Sequence, residues 1–227
     1  MSSGHSEMEL PPLSIEQLSK LAVSNVSPSQ LYGILSEYET DARLVGVGSG
    51  SPETGSADPE LLSLFYANFF FAHLLTKQIP EARALTERIP SSIRHQDPSL
   101  QNCLTLLRAI WQAEHSQVYQ AIRNLPWPKS LQPLVQRYEC FFQDQTLIAV
   151  STSYEAIRLP TAAMYLGLDT AAAERGDPTI VQKFTDCGWK WDSETKLLHP
   201  VPIIVPSVEP QPSNGIRDAM AMLGNRG

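Results

Sequence analysis

The segment "PELLSLFYANFFFAHLL", residues 59–75, sets the strongest limit on what this chain can fold into. Leu61, Leu62, Leu64, Phe65, Tyr66, Phe69, Phe70, Phe71, Leu74 and Leu75 make it apolar nearly all round, not along one stripe. A helix with that pattern is buried on several sides, so other elements must surround it. Asp58 is placed to cap its start, and Pro59 sits just inside. The run Leu61–Leu75 contains Asn68 and His73 and is too short to span a bilayer, so it reads as core.

The surrounding segments supply amphipathic helices. "SIEQLSKLAVSN" spaces Ile15, Leu18, Leu21 and Ala22 helically behind a Ser14 cap. "SPSQLYGILSEYETDARL" has Ser27 as cap, Pro28 at the first helical position and a stripe of Leu31, Ile34, Leu35 and Tyr38. "IPEARALTERIP" puts Ile79, Ala82, Leu85 and Ile89 on one face and stops at Pro90. A second Asp-Pro start, Asp97-Pro98, opens a helix with Cys103, Leu107, Ile110 and Trp111 as its stripe. Val118, Ile122 and Leu125 mark the next helix. Leu131, Leu134, Val135, Tyr138, Phe141, Phe142 and Ile148 mark a longer one.

Two of these helix pairs repeat. "FAHLLTKQIPEARALTERIP" (71–90) aligns with "LRAIWQAEHSQVYQAIRNLP" (107–126) at an offset of 36 residues. Leu74 falls on Ile110, Leu75 on Trp111, Ala82 on Val118, Ile89 on Leu125 and Pro90 on Pro126. A long helix, a small turn and a shorter helix ending in Pro, recurring at that period, is the pattern of a helical-hairpin (TPR-like) solenoid. Each pair buries its face against its neighbour.

The pattern changes near residue 151. "STSYEAIRLP" is short and β-tolerant, "PTAAMYLGL" is a compact helix, and "DPTIVQKFTDCG" starts at Asp177-Pro178 and ends at Gly188. "WKWDSETKLLHPV" then alternates: Trp189 and Trp191 on one side, a turn at 192–195, and Leu197 or Leu198 with Val201 on the return. Helix, turn, helix and hairpin make a winged helix, in which the two indoles pack the hairpin onto the helices. The expected organisation is a disordered tail over 1–12, helical repeats over 13–150 and a winged helix over 151–201. The repeat region carries a flexible loop at 46–60, rich in Gly, Ser and Pro. Residues 202–227 form a Pro-rich tail with a short amphipathic helix presenting Ile216, Met220 and Leu223.

Composition excludes several functions. The net charge of −7 argues against nonspecific nucleic-acid or anionic-membrane binding. Residues 151–200 hold five bases against seven acids, and the expected recognition helix offers a single Lys183, so the winged helix is poorly equipped for DNA. No secretory signal opens the chain. "GVGSG" (46–50) lacks the strand and helix of a nucleotide loop and reads as linker. The five histidines lie in five segments without metal-ligand spacing. Cys103, Cys140 and Cys187 form no CxxC pair and read as reduced, intracellular, buried thiols. No catalytic, metal or cofactor site is expected.

A helical-hairpin solenoid running into a C-terminal winged helix is the plan of the PCI-domain family. "ARALTERIPSSIR" (82–94), "AIWQAEHSQVYQAIRNLPW" (109–127) and "YLGLD…GWKWDSETKLLHP" (165–200) resemble the branch shared by COP9 signalosome subunit 8, a proteasome lid subunit and the k subunit of translation initiation factor 3. The likeness covers roughly residues 60–200 and departs over residues 167–188, a stretch that includes "DTAAAERGDP" and is longer than the family pattern, and at the loop 46–60, an elaboration. It implies a noncatalytic assembly subunit of the signalosome, the complex that removes Nedd8 from cullins in cytoplasm and nucleus. The proteasome lid and the initiation factor are the alternatives, and a winged-helix DNA-binding regulator is a third. It further implies that Trp189, Trp191, Leu197, Leu198 and Val201 join the winged helices of sister PCI subunits. Ile216, Met220 and Leu223 would dock into a bundle of C-terminal helices, because eight residues do not hold a helix alone.

Overall fold

The computed structural model describes residues 11–47 and 58–203. Most of the expected N-terminal tail, the middle of the 46–60 loop, and the tail with Ile216, Met220 and Leu223 lie outside the described residues. Eight helices come first: α1 (Ile15–Val23), α2 (Pro28–Val47), α3 (Pro59–Leu75), α4 (Ile79–Arg88), α5 (Ser91–Arg94), α6 (Pro98–Trp111), α7 (His115–Asn124) and α8 (Gln132–Ser153). The winged helix follows: β1 (Ile157–Arg158), α9 (Leu159–Tyr165), α10 (Thr170–Glu174), α11 (Pro178–Asp186), β2 (Lys190–Asp192) and β3 (Leu197–His199).

The starts are where the sequence puts them. Ser14 Oγ accepts from Gln17 N, and the Asp58 carboxylate accepts from Glu60 N. Asp97 caps α6 through Leu100 N. Ser27 and Gln30 form a reciprocal capping box at the head of α2: Gln30 N donates to Ser27 Oγ and Ser27 N to Gln30 Oε1.

Helix α3 is the axis of the molecule. Every residue from Leu62 to Leu75 is buried, and α1, α2, α4, α5, α6 and α8 all pack on it. The polar groups this encloses are largely tied off locally. Asn68 Nδ2 donates to Leu64 O, and His73 Nδ1 lies 3.0 Å from Gln78 Oε1. Aromatic rings fill the remaining space; Phe71 meets Trp127 edge-on at 5.4 Å between ring centres.

The repeat is visible down to single hydrogen bonds. Helix α3 ends with Lys77 at φ +62° and α6 ends with Ala113 at φ +55°, 36 residues on. In each turn the left-handed residue donates to the carbonyl three back, Leu74 or Ile110. The next residue donates to the carbonyl five back, His73 or Ala109. This is the Schellman closure of a helix, and it swings α4 and α7 back alongside their partners.

Four expectations need correction. Pro11, expected in the disordered tail, has its carbonyl held by Tyr38 Oη at 2.6 Å. Gly46 and Val47, expected in the loop, complete α2. Ser151–Ser153, expected to open the β-tolerant segment, complete α8 instead, so this helix crosses from the repeat region into the winged helix. Trp111, expected on the buried stripe, is 56% exposed, whereas its counterpart Leu75 is buried. The central helix α3 is covered on all sides, whereas among the described residues α6 packs mainly on α3, α4, α5 and α7 and leaves position 111 exposed; Arg83 lies over the Trp111 ring at 5.4 Å.

Candidate functional site

The winged helix has its own small core of Val150, Ile157, Leu159, Ala162, Ala163, Ile180, Phe184, Trp189 and Leu198 among others. Asp169 caps α10 and Asp177 caps α11. The stretch "DTAAAERGDP" carries α10, a short helix of the module. The Asp177 carboxyl is held below its usual range by the hydroxyl and amide of Thr179, with Arg175 adding to this.

Gly188, at φ +86°, ends α11 and turns the chain so that Trp189 N donates to Phe184 O. That geometry lays the Trp189 ring over Phe184, stacked at 5.0 Å. The indole Nε1 donates to Ser151 Oγ of α8 at 3.2 Å. Trp189 thus lies one residue before the wing strand and ties the hairpin to both α11 and α8. Ser151 is buried, and its role shows only in three dimensions: no sequence spacing links 151 to 189.

The other sequence-predicted residues divide by burial. Leu198 is fully buried in the module's core, Trp191 and Leu197 are half-buried, and Val201 is 45% exposed. The side chains of Trp189 and Leu198 are therefore committed to internal packing. Strand β3 lies between β1 and β2, paired to both antiparallel, with Leu198 opposite Ile157 and Trp191. Strand β2 is an outer strand, with one edge unpaired among the described residues. The wing turn is held by Asp192, whose carboxylate accepts from Glu194 N and from Thr195 Oγ1. Those bonds, the Thr195 hydroxyl foremost, hold the Asp192 carboxyl below its usual range.

Besides the shared helix α8, the end of α9 fixes the module to the repeats. The carbonyls of Tyr165, Leu166 and Gly167 accept from Tyr119 Oη, Gln143 Nε2 and Arg123 Nη1 respectively. Three consecutive acceptors at the end of α9 are thus satisfied by side chains of α7 and α8. Arg123 also pairs with Glu139 at 2.6 Å, which fixes the guanidinium. Sequence reasoning missed this joint; its one visible sign is Gly167 in "YLGLD".

The described residues contain no group of three or more His, Cys, Asp or Glu placed to hold a metal ion. Cys103 is buried, and burial pushes its thiol well above the usual range. Cys140, on α8, and Cys187, the residue that follows α11, are exposed, contrary to the expectation of three packed thiols. Partial burial, with Asp186 and Asp144 nearby, raises the Cys187 thiol, the opposite of what an activated nucleophile needs. No helix among the described residues is long and apolar enough to cross a membrane.

Helical repeats that continue through a shared helix into a small winged helix with an open sheet edge define a PCI-type protein. The family model described as CSN8/PSMD8/EIF3K matches residues 60–209. A relative from Emericella nidulans named COP9 signalosome complex subunit 8 is 50% identical over 97% of this chain and 100% of its own length. Proteins of the same name from Dictyostelium discoideum and Xenopus laevis are 24% and 26% identical over 66% and 64% of this chain, and 73% and 69% of their own. The chain belongs to the CSN8/PSMD8/EIF3K family.

Proposed function

We propose that this chain is a noncatalytic scaffold subunit of a COP9 signalosome, acting in cytoplasm and nucleus within the complex that removes Nedd8 from cullins. The observation that carries the reading is the half-identity to a signalosome subunit 8 along the full length of that protein. The proteasome-lid and initiation-factor branches of the family are not favoured by it. The geometry supports an assembly role. The β2 edge offers backbone donors and acceptors to a strand from a sister PCI subunit, the mode known as β-augmentation. Trp191 on that strand, and Leu197 and Val201 on and just after the neighbouring β3, keep apolar surface partly open to solvent, while Trp189 and Leu198 brace the hairpin from within. Ile216, Met220 and Leu223, outside the described residues, are proposed as a second contact, with the C-terminal helices of sister subunits.

The test is affinity purification of the tagged chain from its native cell, with identification of what comes with it. PCI subunits, a metalloprotease subunit and cullin-deneddylating activity are the expected recovery. Proteasome or initiation-factor subunits in their place, or the chain alone, would overturn the reading.

A further inference from the structure

We propose that a groove beside the wing binds an acidic, extended segment of a neighbouring subunit. The proposal rests on the assembly reading for the source of that segment. The groove has a volume of about 520 Å³ and lies between the start of α9, the end of α10 and the wing turn. Arg158, Arg175 and Lys196 line it, from three separate parts of the chain, and Glu174 is the single acid in its lining. All three cations are exposed, and none is in a salt bridge among the described residues. On a chain of net charge −7, the fold has gathered positive charge at one place that no sequence window shows.

The position of Lys196 is fixed by backbone. It sits at φ +55°, a left-handed conformation in which glycine costs less, at the end of the turn that Asp192 holds. A lysine held in such a conformation, beside two arginines outside any salt bridge among the described residues, is placed to meet a ligand. The floor is apolar: the half-buried Trp191 ring, buried Leu159 and the ring of Pro160. Guanidinium groups bind carboxylates with two parallel hydrogen bonds, and the indole face and proline ring suit the aliphatic stems between acids. An extended acidic peptide matches both features. Duplex DNA matches only the charge, and Lys183 is the one cation of α11. Trp191 belongs to β2, so a chain paired along that edge passes the mouth of the groove.

The experiment assembles the full set of recombinant subunits around three versions of this chain. These are the unaltered chain, Arg175→Glu with Lys196→Glu, and Lys77→Glu with Lys183→Glu. The last pair carries the same charge change on exposed residues outside the groove. The groove variant should join the complex about tenfold more weakly and with a flatter salt dependence, while the control pair matches the unaltered chain. Equal behaviour of the two variants overturns the groove and leaves the assembly reading standing. Failure of the unaltered chain to join those subunits sinks the assembly reading and the groove's occupant with it. In parallel, amide NMR of the full chain titrated with a hexaglutamate peptide should shift residues 173–176 and 193–196. Equal shifts from duplex DNA, or none from the peptide, overturn the proposal.

Discussion

Gly167 is pressed against Tyr119: a Cβ built on the glycine would lie 2.5 Å from Tyr119 Cγ and 2.6 Å from both Cδ atoms. The same tyrosine donates its hydroxyl to Tyr165 O, and Arg123, stacked over its ring at 4.9 Å, reaches Gly167 O. The glycine is therefore needed twice, for its φ of +63° and for the absence of a side chain. Gly167→Ala should cost about 2–4 kcal/mol, combining left-handed backbone strain with overpacking of the joint. Thermal unfolding reads the loss. In a double-mutant cycle, adding Tyr119→Leu should recover part of it, because the two positions share one contact. Full additivity would show that the clash does not govern the site.

The two repeat turns predict a gain. Ala113 and Lys77 hold left-handed φ values at equivalent places in the two helix pairs, where glycine is the unstrained residue. Ala113→Gly should stabilise the chain by about 0.5–1 kcal/mol, since relief of strain exceeds the added entropy of the unfolded glycine. Lys77→Gly should act in the same direction. The shift in melting temperature is expected to be about 2–4 °C per kcal/mol for a chain of this size. A loss of stability in both variants would contradict the matched turns.

Much of this architecture was legible along the chain because its signals are local. Asp-Pro starts and Pro-terminated helices each involve residues within one or two turns of each other, and the 36-residue spacing shows as the recurrence of one such local pattern. The Gly188-Trp189 pair is local too, and it correctly announced the end of α11. What escaped was set by tertiary neighbours. Trp111 aligns with buried Leu75 yet stands exposed, because burial depends on whether another layer follows, and that is not written in its own segment. Ser151 reads as the first residue of a β-tolerant segment until the Trp189 indole is found on it. The convergence of Arg158, Arg175 and Lys196 was hidden by a module whose overall balance is acidic.

His73 gives the fold a pH dependence. Burial is the main cause holding its pKa below the ordinary 6.5, with Arg88 adding to the effect and the Gln78 hydrogen bond opposing it. Its Nε2 has no hydrogen-bond partner among the described residues, so a proton there would place a charge inside the core. The unfolded chain thus binds the proton more readily than the folded one. The stability from neutral His73 is complete above pH 6.5 and is lost as pH falls below that value toward the lower folded pKa. His73→Gln removes this titration while keeping an amide able to meet Gln78. Melting temperatures at pH 7.5 and 5.5 should differ less for the variant than for the parent chain. The held-down carboxyls of Asp177 and Asp192 do not blur the comparison, because they lose their contribution near and below 3.8. An unchanged difference would remove His73 as the cause.

The two indoles of the hairpin should separate folding from assembly. Trp189 is buried, stacked on Phe184 and bonded to Ser151, so it links the hairpin to α11 and α8 at once. Trp189→Phe loses the hydrogen bond and leaves part of the indole volume empty, at a cost of about 2–3 kcal/mol. Hydrogen exchange should show that cost in α9, α11 and β3 more than in α3, because the module has a core of its own. Trp191 is half-buried and lies in the edge strand. Trp191→Ala should leave the melting temperature within a few degrees of the parent, as a substitution outside the buried core does. It should nevertheless weaken entry into the reconstituted complex, since a half-open aromatic beside an unpaired edge is the type of residue that anchors an interface. The reverse pattern, with Trp191→Ala unfolding the module and Trp189→Phe only weakening entry, would show that the wing presents the other face to its partner.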